Sequence, residues 1–326
     1  MQLKKIVILG TGGTIAGLAS TASSNIDYTA AQVGVSELVS AVVGLNSGVE
    51  VEQVAQIDSK DMSFDVWKAL ASRVQHHLER SDVHGVVVTH GTDTLEETAY
   101  FLQAVLSPGK PVVLTCAMRP ASALTPDGPQ NILDALTVAR HEGAQGVVVV
   151  CAGVIHAAVD VQKTHTYQLN AFGSGDAGPV GFIEENCVRL VKSWPVAHKF
   201  QGLSATENIA VLNQIDVWPF VEIVMNYAGA SGVLVDALVT QGVRGLVIAG
   251  TGNGTVHSAL ESALGSAQAQ GVQVVRATRC PQGWVLPRVD DRFPPSDGLS
   301  PVKARINMML GLMGLMGLMG HMAFMT

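Results

Sequence analysis

Residues 86–102 read VVVTHGTDTLEETAYFL. Three consecutive valines make a short β-branched apolar run, which suits a strand buried on both faces. Small polar residues and a glycine interrupt the run at 89–94, and residues 94–106 then carry apolar side chains at helical spacing. A strand that passes through a polar turn into a helix is the repeating unit of an α/β fold. In an open parallel sheet, ligands sit beyond the carboxyl ends of the strands, so this turn is where chemistry is expected.

The same pattern extends in both directions. Apolar runs at 6–9, 49–57, 85–89, 111–116, 146–151, 209–214, 245–249 and 273–277 read as strands, with helical patterns between them, for example at 64–81. Valine-rich runs without polar alternation require helices on both sheet faces. The pattern lapses in VRLVKSWPVAHKFQGLS (188–204). This divides the chain into a larger N-terminal α/β domain over 1–190, a linker over 191–208 and a smaller α/β domain over 209–326.

With 326 residues, 48% of them apolar and 14% charged, the chain has ample material for buried cores. A net charge of −7 with scattered lysines and arginines argues against nucleic-acid binding. Cysteines 116, 151, 187 and 280 show no CxxC pair or metal-ligand spacing, and they read as buried free thiols in a reducing compartment. The opening MQLKK leads straight into a strand without a signal-like apolar stretch, so a cytoplasmic location is expected. The tail MMLGLMGLMGLMGHMAFMT (308–326) has the length of a membrane span, but its glycines at 311, 314, 317 and 320 each cost about 1 kcal/mol of helix propensity. It reads as the loose end of a terminal helix, with membrane association the lesser alternative.

The first strand ends in GTGGTIAG (10–17). A dinucleotide fingerprint fits poorly because its third glycine falls on Ile15, and a P-loop is excluded because no Gly-Lys-Ser/Thr closes the turn. What remains is a glycine turn that brings backbone close to a ligand and offers the hydroxyls of Thr11 and Thr14. Thr14 as a plain helix cap, and Asp93 as another, are the simpler readings. A second hydroxyl at Thr92, and Lys163 among the hydroxyls of VDVQKTHTYQLNAF (159–172), make a nucleophile–base constellation plausible. His90 and His165 read as packing residues.

GTGGTIAG, the 86–102 stretch, AMRPASALTPDGPQNILDA (117–135) and the 159–172 stretch together resemble the diagnostic blocks of the bacterial-type L-asparaginases, over residues 4 to 309. The resemblance implies a flavodoxin-like parallel-sheet N-terminal domain. It implies hydrolysis of the L-asparagine side-chain amide through a threonine acyl-enzyme, with no cofactor and no metal. By residue, it implies Thr14 as nucleophile, Tyr28 as its activator on a lid, and Thr92, Asp93 and Lys163 as a second hydroxyl, acid and base. It further implies Ser59 and Asp93 at the two charges of the amino acid, with Ala117 backbone at the amide end. Asn253 would approach a neighbouring subunit's site in a homotetramer or homodimer. A mixed glutaminase–asparaginase would share all of these residues, and a non-catalytic amino-acid-binding protein on the same fold is the remote alternative. Lys60 departs from the usual neutral residue beside the substrate ammonium, and Arg288 stands where periplasmic relatives place a glutamate.

Overall fold

A computed structural model describes residues 4–42, 48–195 and 204–315. They form two compact units, one reaching 195 and including Ser204–Leu212, the other beginning at residue 213.

In the first unit the chain runs β1 (Lys5–Gly12), the two-residue strands β2 (Leu18–Ala19) and β3 (Tyr28–Thr29), then α1 (Val35–Ser40) and β4 (Val49–Ile57). There follow α2 (Phe64–Glu79), β5 (Val83–Thr89), α3 (Leu95–Leu106), β6 (Pro111–Thr115), α4 (Gly128–Arg140) and β7 (Gly146–Cys151). β8 (Val154–Ala157), the short strands β9 (Gln162–Lys163) and β10 (Phe172–Gly173), and the hairpin β11 (Gly181–Glu184) with β12 (Cys187–Leu190) are its remaining strands. The main sheet has the order β12-β11-β8-β7-β6-β5-β1-β4. Its parallel part comprises β1, β4, β5, β6 and β7, and counting only these gives the order 2-1-3-4-5 of a flavodoxin-like sheet. The switch point of that order lies between β1 and β5. Val87, Val113 and Val148 from the strands meet Ile132 and Leu136 of α4 in one fully buried cluster. β8, β11 and β12 add an antiparallel extension.

The apolar run at 209–214 is not a strand. It is the second half of α5 (Ala205–Gln214). Its helix starts in a reciprocal box in which Ser204 Oγ accepts the Glu207 N–H and Glu207 accepts the Ser204 N–H at 2.7 Å. Asn208 and Leu212, one turn apart, are its buried face, and Asn208 donates to Val105 O. The second unit opens instead on β13 (Val221–Met225), followed by α6 (Val233–Thr240), β14 (Gly245–Gly250), α7 (Ser258–Ala269), β15 (Gln273–Thr278) and α8 (Pro301–Leu312). Its three strands are parallel with β14 central, and Leu246, Ile248, Leu260, Leu264 and Phe293 fill its core.

Cys116 and Cys151 are buried free thiols, but Cys187 and Cys280 are exposed. Cys187 begins the outermost strand after a turn whose Glu185 and Asn186 adopt positive φ, and Cys280 sits in the turn after β15. Of the tail at 308–326, residues 308–312 are the last part of α8 with Met308, Met309 and Leu310 buried, and 316–326 lie outside the described residues. Among the described residues, no helix is long and apolar enough to cross a membrane.

β4 is an edge strand, and charges line it as they do many protected sheet edges. Arg80 and Lys5 hydrogen-bond Glu50 and hold its carboxyl down at about 2, and Arg80 does the same to Asp82. A carboxylate with its pKa lowered on folding stabilises the fold above its unfolded pKa, and this stabilisation disappears as pH falls through the folded value. Arg80→Met should therefore have a lower urea midpoint than the wild type at pH 7. The gap should stay constant down to about pH 5 and close between about pH 4.5 and 2; a gap independent of pH would rule the network out as its source.

Candidate active site

The site is built where β1 and β5 end side by side. Gly12 and Gly13 take positive φ of 101° and 83°, and the Gly13 N–H bonds Ile57 O of β4 at 2.9 Å. A Cβ on Gly13 would stand 2.3 Å from Gly91 Cα, and one on Gly91 would stand 2.4 Å from Ser59 Oγ. Only glycine fits at either place. The strand ends of β1 and β5 therefore meet backbone against backbone, with the Ser59 side chain from the turn after β4 against Gly91, and Thr14 and Thr92 each follow one of the touching glycines.

Thr14 opens a short 3-10 turn and is 7% exposed. Its Oγ1 lies 2.7 Å from the Tyr28 hydroxyl. Tyr28 stands on β3, which pairs with β2 through Ala19 and Leu18 alone. The loop after β6 secures this ribbon, with the Ala121 N–H bonding Gly17 O and the Ala19 N–H bonding Ser122 Oγ.

At the other strand end, Lys163 Nζ donates to Thr92 Oγ1 at 2.8 Å and to Asp93 Oδ1 at 2.6 Å. Thr92 is buried, whereas Asp93 is half exposed. Ser59 Oγ accepts the Asp93 N–H, and the Ser59 carbonyl accepts from Thr94 Oγ1 at 2.8 Å. Lys163 Nζ thus bridges a carboxylate and a hydroxyl, which puts Thr92 Oγ1 and Lys163 Nζ within proton-transfer reach of each other.

His90 takes no such part. Burial pushes its imidazole down to about 4, its Nδ1 lies 2.7 Å from Gly91 O, and its Nε2 meets the Thr98 hydroxyl, which also accepts from Trp67 Nε1. It stays neutral at physiological pH and braces the Gly91 peptide. His165 is exposed, and its Nδ1 accepts the N–H groups of Tyr167 and Gln168 in a turn. Lys60 pairs with Asp61 at 2.5 Å and Asp58 at 3.5 Å, and its exposed ammonium is stabilised by the bond to Asp61. Ala117 is fully buried. Asn253 belongs to the second unit, where its side chain donates to Leu286 O and accepts the Leu286 N–H. Among the described residues, no group of three or more His, Cys, Asp or Glu side chains is placed to hold a metal ion.

Three residues are absent from the motif reading. Asp127 turns its carboxylate back to accept the N–H groups of Met118 and Arg119, both at 2.9 Å, and so shapes the loop after Ala117. Asn131 joins the ends of β6 and β7 by donating to Cys116 O and accepting from Ala152 N. Glu96 accepts the Lys163 N–H at 2.5 Å. The Asp-Gly-Pro start of α4 signals a cap at Asp127, whereas nothing in the sequence marks Glu96.

Residues 5–195 match the family described as "Asparaginase, N-terminal", and residues 220–315 match the "Glutaminase/Asparaginase C-terminal domain". The chain belongs to the asparaginase family. It is 38% identical over 321 residues to a protein named L-asparaginase 2 from Escherichia coli K12, covering 96% of this chain and 90% of that one. It is 36% identical to a glutaminase-asparaginase from Pseudomonas fluorescens biotype A, covering 95% of this chain and 87% of the relative. A crystal structure titled probable cytoplasmic L-asparaginase from Campylobacter jejuni superposes with a TM-score of 0.86 at 34% identity, covering 95% of each chain. Both units of this asparaginase-family chain therefore have counterparts along nearly their whole length.

Because the contact between Gly13 and Gly91 leaves no room for a side chain, Gly13→Ala should destabilise the first unit by at least about 2 kcal/mol, combining a positive-φ penalty with a backbone clash. An unfolding midpoint equal to that of the wild type would show that the two strand ends separate freely.

Proposed function

We propose that this chain hydrolyses the side-chain amide of L-asparagine to L-aspartate and ammonia through an acyl-enzyme on Thr14. The observation that carries this reading is the presence, at one switch point, of two hydroxyls that each have a partner able to move a proton: Thr14 with Tyr28, and Thr92 with Lys163. Amide hydrolysis needs such pairs twice, once for attack and once for release.

In this mechanism Thr14 Oγ1 attacks the amide carbon while its proton passes through the Tyr28 hydroxyl to the amide nitrogen. Collapse of the tetrahedral adduct breaks the C–N bond, and the protonated nitrogen leaves as ammonia. Water then attacks the ester, and the proton it gives up passes through the Thr92–Lys163 pair to Thr14 Oγ1 as the ester C–O bond breaks, which restores the Thr14 hydroxyl and releases aspartate. Ser59 receives the substrate α-carboxylate, Asp93 its α-ammonium, and the backbone at Ala117 lines the amide end. Thr92 contacts the substrate as well as the water. Asn253 acts through assembly, at a neighbouring subunit's site in a homotetramer or homodimer, exchanging its bonds to Leu286.

We infer a cytoplasmic location, favoured by the likeness to a Campylobacter jejuni structure named a probable cytoplasmic L-asparaginase. A mixed glutaminase–asparaginase activity is the second reading, favoured by the 36% identity to a relative bearing that name. Steady-state ammonia release from the two amino acids decides between them. One extra methylene displaces either the zwitterion or the amide carbon, so kcat/KM should favour asparagine by about ten- to two-hundredfold. A ratio near unity would establish the mixed enzyme.

Lys60→Gln should leave that ratio unchanged, because Asp58 and Asp61 already hold the exposed Lys60 ammonium and surface pairs of this kind carry little energy. A shifted ratio would place Lys60 at the substrate. Thr14→Ala and Thr92→Val, folded as judged by circular dichroism, should each lower turnover by about a thousandfold or more. Either variant retaining more than about a tenth of wild-type turnover would remove its residue from the mechanism.

A further inference from the structure

Lys163 reaches Thr92 and Asp93 from a strand that has almost no sheet behind it. β9 is two residues long, and its only strand partner among the described residues is β10, with Lys163 opposite Phe172. Just past β9 the N–H groups of Thr164 and His165 both reach Ala171 O, at 2.7 and 3.2 Å, whereas the Lys163 N–H bonds outside this strand pair. Its acceptor is the Glu96 carboxylate at 2.5 Å.

Glu96 lies in the first turn of α3, three residues after Asp93 and four after Thr92. A carboxylate there is favoured by the helix N-terminus, and a charged acceptor makes the bond stronger than a neutral one would. The same turn that presents Thr92 and Asp93 therefore also grips the backbone of the residue whose amine they share. A long lysine side chain on an edge strand has many rotamers, and fixing its backbone removes one source of misplacement.

We propose that Glu96 is a positioning residue that sets the Lys163 ammonium against Thr92 and Asp93 by accepting the Lys163 backbone N–H. This rests on the functional reading above for its kinetic consequence, but the clamp itself is observable without any reaction. Glu96→Ala should release the Lys163 amide, and a displacement of about 1 Å at a proton-transfer group costs up to about a hundredfold in rate. The loss should fall mainly on kcat, because Thr92 is the partner that needs Lys163 during chemistry. Glu96→Gln keeps an acceptor oxygen at the same reach and should recover turnover to within about threefold of the wild type. Glu96→Asp, one methylene too short, should behave like Glu96→Ala, and it serves if the alanine variant does not fold.

The test joins hydrogen exchange to a double-mutant cycle. Wild-type ammonia release is measured first, and its absence would overturn the hydrolytic reading while leaving the clamp to exchange alone. Exchange at the Lys163 amide should be slow in the wild type and in Glu96→Gln, and at least about tenfold faster in Glu96→Asp. Equal exchange in all three would overturn the proposal. In a Lys163→Met background, Glu96→Ala should change kcat by less than about twofold, since residues that act through one another are not additive. A full additional loss there would show that Glu96 supports the fold generally, and would also overturn it.

Discussion

The contact between Gly13 and Gly91 governs the rest of the site. At a flavodoxin-like switch point, crossovers leave neighbouring strands in opposite directions and open a crevice. In this chain two glycines narrow that crevice until backbone meets backbone, and the residue after each glycine is a threonine. Ser59 completes the arrangement, since a Cβ on Gly91 would collide with its side chain about as closely as one on Gly13 would collide with Gly91. The threonine hydroxyls are set by main chain rather than by adjustable side-chain packing, which is the more rigid way to build a reactive constellation.

The electrostatics are correspondingly local. One ammonium, from Lys163, serves both a buried hydroxyl and a half-exposed carboxylate, so the charge that orients Asp93 is the charge that polarises Thr92. His90, an obvious base by residue type, is excluded by burial: with its imidazole near 4 it remains a neutral strut between Gly91 and Thr98.

The parallel strands were legible because a short run of valines fits little besides a strand covered on both faces, and the motif turns were legible because glycines and hydroxyls cluster at strand ends. The antiparallel additions were not. β9 and β10 are too short to show any periodicity, and one parallel strand, β13, was missed as well because Glu222 breaks its short apolar run directly after Trp218 and Pro219. The run at 209–214 is apolar enough for a strand, and only the Ser204–Glu207 box reveals a helix. Asp127, Asn131 and Glu96 escaped because they act on backbone groups of distant residues. A carboxylate that bonds a main-chain N–H places no demand on the residue type across from it, so no paired motif appears.

The two halves of the site differ in how far apart their partners lie along the chain. Thr14 and Tyr28 are separated by 14 positions, whereas Thr92 and Lys163 are separated by 71. Closing a longer loop costs more chain entropy, and contacts between distant residues tend to form late. During synthesis the Thr14–Tyr28 pair can assemble while Lys163 is still to be added. A nascent chain therefore carries a hydroxyl pair with no ammonium beside it, and the site becomes complete only once some 170 residues have emerged and β9 has docked on the start of α3.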